Sequence, residues 1–66
     1  MGAIYETVKR IEAAIERRRL PLYKTRGLIA LRAGFLLGMV TPDTPDDPLR
    51  IAVLKAAARE VLGEEI

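Results

Sequence analysis

Apolar side chains recur at Ile4, Val8, Ile11 and Ile15, spacings of 4, 3 and 4 that lay them along one stripe of an α-helix. Thr7 and Ala14 flank the stripe. Glu6 precedes Lys9 by three residues and Arg10 by four, both supportive helical pairings. Arg17, Arg18 and Arg19 fall in the last turn, where cations favour the negative end of the helix dipole. Leu20-Pro21 then breaks the pattern, because proline disfavours helical geometry in the residue before it. The first predicted helix therefore spans about 3–19.

The second predicted helix starts at Pro21, or at Thr25 if Thr25 caps it, and runs to Val40. Between Leu28 and Val40 only Arg32 is charged. A helix apolar on every side is expected to be buried. The stretch Thr41–Pro48 then holds three prolines and three aspartates, a rigid turn. Either Thr44 or Asp47 caps the third helix, with Pro45 or Pro48 at its first position, and Gly63 ends it after Leu62. One stripe of this helix is Ile51, Leu54, Ala58, Val61 and Leu62. A second apolar strip, Leu49, Ala52, Val53 and Ala56, lies on the other side. The expectation is an all-α, three-helix small domain occupying residues 1–66.

Size changes that picture. A chain of 66 residues buries only about 60% of its unfolded surface. Two neighbours cannot cover a middle helix that is apolar all round, and the surplus would form an exposed patch of the kind that marks association. Homo-oligomerisation, as a dimer or higher, is the expected completion of the fold. Gly27, Ala30, Gly34 and Gly38, spaced 3, 4 and 4 apart, form a strip of small residues on one helix. The strip serves either as the oligomer seam, where two backbones approach, or as the seat of a bulky side chain from the same chain. On a continuous helix Gly34→Ala should be mild or stabilising, through helix propensity.

Arg32 is expected away from that strip, with Leu28, Ile29, Phe35 and Leu36 at the neighbouring helical positions. An arginine so placed either snorkels to the surface or pairs with a carboxylate. The pattern favours pairing, with Glu6, Glu12 and Glu60 as candidates.

Charge is uneven along the chain. Residues 1–40 hold eight basic side chains against three acidic ones, and residues 41–66 hold three against six. Either a basic surface faces an anionic partner or one half docks on the other. Arg17, Arg18, Arg19, Lys24 and Arg26 place five cations within ten residues, a candidate anion-binding cluster. Tyr23 is the only stacking aromatic beside it, and the proline-rich acidic connection is unlike a helix-turn-helix.

Composition removes most catalytic chemistry. The chain has no His, Cys, Ser, Asn, Gln or Trp. The commonest metal ligand and general base, the thiol nucleophile and the serine triad are all absent. Asp43, Asp46 and Asp47 lack the ligand spacing and glycine of a calcium loop, and serve more simply as caps. The expectation is no enzyme, no cofactor and no metal site. The 13 residues from Leu28 to Val40 would span roughly 20 Å, short of a ~30 Å hydrocarbon core, so no transmembrane span is expected.

Eight arginines against three lysines, with no Asn, Gln or Cys, point to a bacterial or archaeal source. Without a basic-then-apolar leader after Met1, the expected location is the cytoplasm. The function that fits best is a small homo-oligomeric protein-interaction module, an adaptor or regulatory subunit whose partners are itself and another protein. A small basic nucleic-acid-binding protein is the alternative. A peripheral membrane-surface protein, using the basic amphipathic first helix, is the third.

Overall fold

A computed structural model describes residues 2–66. The described residues form three α-helices and no strands: α1 (Ala3–Arg17), α2 (Leu22–Ala33) and α3 (Pro48–Leu62), with a single 3-10 turn at Leu37–Met39.

The stripe on α1 is the floor of the core. Ile4, Ile11 and Ile15 are fully buried, with Val8, Thr7 and Ala14 beside them. Ile29 of α2, Leu37 of the 3-10 turn and Leu54 of α3 are the other large side chains with no appreciable exposure. Ala14, Ala57 and Ala58 are buried without bulk, so the helices pack closely around these six.

Both ends of α1 are tied to α3. At its N-terminus Gly2 offers no side-chain cap, and Asp46 Oδ1 accepts instead from the Ile4 N–H at 3.0 Å. At its C-terminus Arg17 and Arg18 hold the two carboxylate oxygens of Glu64 at 2.7 and 2.9 Å, and Arg18 Nη1 also donates to the Leu62 carbonyl. Since Asp46 lies just before α3 and Glu64 just after it, α1 and α3 run in the same direction.

Four helix ends are closed by local chemistry. Beyond α1, the Arg19 N–H donates to the Glu16 carbonyl and the Leu20 N–H to Ile15, with Arg19 left-handed at φ 56°. This is the doubly bonded C-terminal motif usually built on glycine. Beyond α2, Gly34 is left-handed at φ 78°, and both it and Phe35 donate to the Ala30 carbonyl. At α3 the Asp47 side chain accepts from the Leu49 N–H at 3.0 Å, Pro48 takes the first position, and Gly63 ends the helix.

Several expectations are corrected. The first helix ends at Arg17 rather than Arg19, because the left-handed Arg19 turns the chain. The second ends at Ala33 rather than Val40. A left-handed Gly34 reverses the backbone there, and Leu36 and Val40 are extended on either side of the 3-10 turn. Leu28, Leu31, Leu36 and Met39 are consequently exposed within the chain, not buried on every side. Thr25 does not cap α2. It is a buried residue inside it, and Pro21 precedes the first turn. At the start of α3, Asp47 and Pro48 take the capping roles, while Thr44 Oγ1 accepts from the Thr41 N–H inside the turn at 2.8 Å. With φ positive at Gly34, Gly34→Ala is no longer a helix-propensity substitution and becomes a strained one.

Candidate functional site

The end of α2 at Gly34 creates the most distinctive surface of the molecule. Because the chain folds back there, the 3-10 turn packs against α2 rather than extending it. Two adjoining apolar grooves result, of about 450 and 280 Å³, sharing Gly27, Ala30 and Leu36. Leu31 and Phe35 complete the larger, and Tyr23 and Met39 flank the smaller. Tyr23 is 85% exposed, Leu31 79%, Met39 70% and Leu36 61%. A soluble helix normally turns such side chains inward, so four on one continuous face constitute a patch rather than scattered exposure.

The small residues of the strip stand around these grooves in different roles. Gly27 is exposed, and apart from its own helix backbone and chain neighbours no described atom lies within 4 Å of where a Cβ would project. Ala30 is buried beneath it. Gly34 is the left-handed stop, and Gly38 sits in the 3-10 turn against the Arg26 guanidinium, 2.6 Å from the position its own Cβ would take. They line adjoining grooves, but not as one strip of a single helix.

Arg32 Nη1 lies 2.6 Å from Glu60 Oε1 on α3, so of the three candidate carboxylates Glu60 is the one it meets. The pair is not embedded, with the arginine side chain 48% exposed. Phe35 and Leu36, which would flank it on a continuous helix, lie beyond the end of α2. An ion pair so placed is worth about 0.2–1 kcal/mol and adds no net charge to the face.

The basic cluster is largely spent on the fold. Arg17 and Arg18 share Glu64, and Arg26 Nη2 meets Glu12 at 3.0 Å while its buried Nε has no partner. Among the described residues only Arg19 and Lys24 of the five have no carboxylate within 4.0 Å. The acidic turn is occupied likewise. The Ile4 and Ala3 N–H groups lower the Asp46 pKa below the usual carboxylate value, and Asp47 caps α3. No group of three potential ligands that could hold a metal ion occurs among the described residues.

The apolar face of α1 is consumed by the core, which leaves the first helix no free amphipathic surface. No described helix is long and apolar enough to cross a membrane. On α3 the second apolar strip is open, with Leu49 at 72% and Val53 at 37% exposure and Ala52 and Ala56 beside them.

The sequence pattern did not identify Tyr23, Leu36 and Met39 as parts of one face. The available signal was Gly34 followed by the apolar Phe35, the arrangement of a glycine-terminated helix. No protein-family model, curated protein or solved structure matches the chain.

Proposed function

We propose that the chain is a small protein-interaction module that associates with a second copy of itself through the outer face of α2 and the 3-10 turn. The observation that carries this reading is the apolar face around Gly27, Leu31, Leu36 and Met39, whose bordering Arg26 is paired with Glu12. Residues 1–40 have a basic excess, so two copies that meet along this half would in general oppose like charges. This face does not, because Arg32 points to Glu60 and Arg26 to Glu12. A stable interface buries about 800 Å² per partner, under a fifth of the 4492 Å² that the chain exposes. In this reading the dimer acts by binding another protein, as an adaptor or regulatory subunit without catalysis. The ion pairing of Arg17, Arg18 and Arg26 weighs against nucleic-acid backbone as the principal ligand.

Sedimentation equilibrium tests the reading. The wild-type chain should run above 7.3 kDa at micromolar concentration, and Leu31→Asp should run at 7.3 kDa with unchanged helical circular dichroism. A wild-type mass of 7.3 kDa at every concentration, or association undisturbed by Leu31→Asp, overturns it.

A further inference from the structure

The turn that joins α1 to α2 carries a second exposed apolar group with a different electrostatic setting. Leu20 is 37% exposed, Leu22 45% and the adjoining Tyr23 85%. They follow Arg19 and precede Lys24, the two members of the basic cluster that meet no carboxylate within 4.0 Å among the described residues. The turn is held by three backbone hydrogen bonds: Arg19 to Glu16 at 3.0 Å, Leu20 to Ile15 at 3.1 Å and Thr25 to Pro21 at 2.9 Å. Little conformational freedom remains to be lost when something docks there.

Charge is separated along the molecule. At this end Arg17, Arg18, Arg19, Lys24 and Arg26 outnumber Glu12, Glu16 and Glu64 by two, although Glu12 and Glu16 line the groove beside Leu20 and Leu22. Asp43, Asp46 and Asp47 gather at the opposite end of α1, where Asp46 caps it. The helix between them has 15 residues, about 22 Å. An anionic surface attracts the basic end and repels the acidic one, so it would meet the chain with this turn first.

We propose that the Arg19–Lys24 turn is a contact for an anionic lipid surface, with Leu20, Leu22 and Tyr23 entering the headgroup region and Arg19 and Lys24 facing the lipid phosphates. Aliphatic side chains between cations distinguish this partner from nucleic acid, whose bases would need stacking platforms and whose phosphates gain nothing from leucine. Tyrosine suits the interface, where its ring is apolar and its hydroxyl stays wet. Lipid contact needs no self-association; because Tyr23 also borders the proposed dimer face, a dimer that covers it leaves Leu20 and Leu22, which lie outside that face, as the apolar contact.

Cosedimentation with vesicles tests the proposal, using phosphatidylcholine alone and phosphatidylcholine containing phosphatidylserine. Both the wild-type chain and the Leu31→Asp variant are measured, which separates lipid binding from dimerisation. Each unpaired charge contributes about 5-fold, so partition should favour the anionic vesicles by about 30-fold at low salt and decline as salt is added. Arg19→Gly relieves the left-handed strain and should nevertheless lose about 5-fold, a loss that unfolding cannot explain. Leu22→Asp should lose about 10-fold or more with helical content intact. Equal partition into both vesicle types, no partition into either, or binding indifferent to Leu22→Asp overturns the proposal. Tighter binding to single-stranded RNA than to vesicles, retained in Leu22→Asp, overturns it in favour of nucleic acid.

Discussion

Helices α1 and α2 are of similar length and differ in what they do with their apolar residues. In α1 the large apolar side chains after Ala3 form one stripe, the stripe is wholly buried, and the opposite face is charged. In α2 only Thr25, Ile29, Ala30 and Ala33 are buried, while Leu22, Leu28 and Leu31 remain exposed. The first helix is therefore satisfied by its own chain, and the second is not. A hydrophobic stripe with a polar boundary specifies both where a helix sits and where contact stops. A helix without that boundary specifies burial against something without saying that the partner belongs to the same chain.

The largest effect that could break this comparison is a truncation in each helix. Ile11→Ala removes a fully buried side chain and should cost about 2–5 kcal/mol. In a domain this small that lowers the thermal midpoint by at least about 10 °C. Leu31→Ala should change the stability of the dilute, monomeric chain by less than about 0.5 kcal/mol, yet weaken association. Thermal melts at low and high protein concentration check both. A large loss from Leu31→Ala at low concentration would show that α2 is packed within the monomer after all.

The helix ends offer a second contrast. Both α1 and α2 turn on a left-handed residue, arginine in one and glycine in the other. That conformation costs a non-glycine residue about 1–2 kcal/mol, and glycine's extra freedom in the unfolded chain takes back about 0.4–1. Arg19→Gly should therefore stabilise the chain by about 0.5–1 kcal/mol, and Gly34→Ala should destabilise it by a similar amount. Denaturant midpoints in dilute solution provide the measurement. Equal signs for the two substitutions would contradict the assignment of equivalent roles.

These same ends explain what could be read from the residues. The count of three helices, the α1 stripe and the Gly63 stop rest on local signals, each carried by a few adjacent residues, while the start of α3 has two equivalent local readings, Thr44-Pro45 and Asp47-Pro48, of which the structure takes the second. The end of α2 depended on choosing between two local meanings of Gly34. As a member of a strip with Gly27, Ala30 and Gly38 it continues the helix, and as a glycine before an apolar residue it stops it. Leu36, Leu37 and Met39 fit a helical period well enough to favour continuation, and only tertiary packing of Leu37 into the core decides otherwise. The long-range polar contacts were less accessible still. Asp46 reaches Ile4, and Glu64 reaches Arg17 and Arg18, across more than 40 residues of chain. No spacing rule connects such pairs, because the distance between them is set by how the helices stack.

Gly27 reports on the open face of α2 at a finer scale. It lies inside α2, and among the described residues no side chain or distant backbone occupies the space beside it. Within the monomer Gly27→Ala should gain about 0.5–1 kcal/mol, since glycine costs that much in a helix interior. If a second backbone approaches there, the same methyl should weaken the dimer. A stability gain in dilute solution together with a reduced association constant is the expected pairing. A gain in both would move the contact away from Gly27.

The smallest expected effect concerns how α1 is anchored. Its first turn is capped by Asp46, from the loop before α3, which accepts from the Ile4 N–H. Bonding from the Ile4 and Ala3 amides favours the charged carboxylate and lowers its pKa below the ordinary value of 3.8. A depressed folded-state pKa means that the contribution is complete above the unfolded value and is lost as the pH falls through the folded one. Other carboxylates titrate in the same range, so the acid limb of the wild-type chain alone does not isolate this one. Asp46→Asn does isolate it, because asparagine caps a helix about as well but carries no titrating proton. The two proteins should differ most near neutral pH, with the wild type the more stable, and converge as acid protonates Asp46. Midpoints that differ by the same amount at pH 7 and in acid would show that the charge of Asp46 contributes nothing, leaving only the geometry of its oxygen.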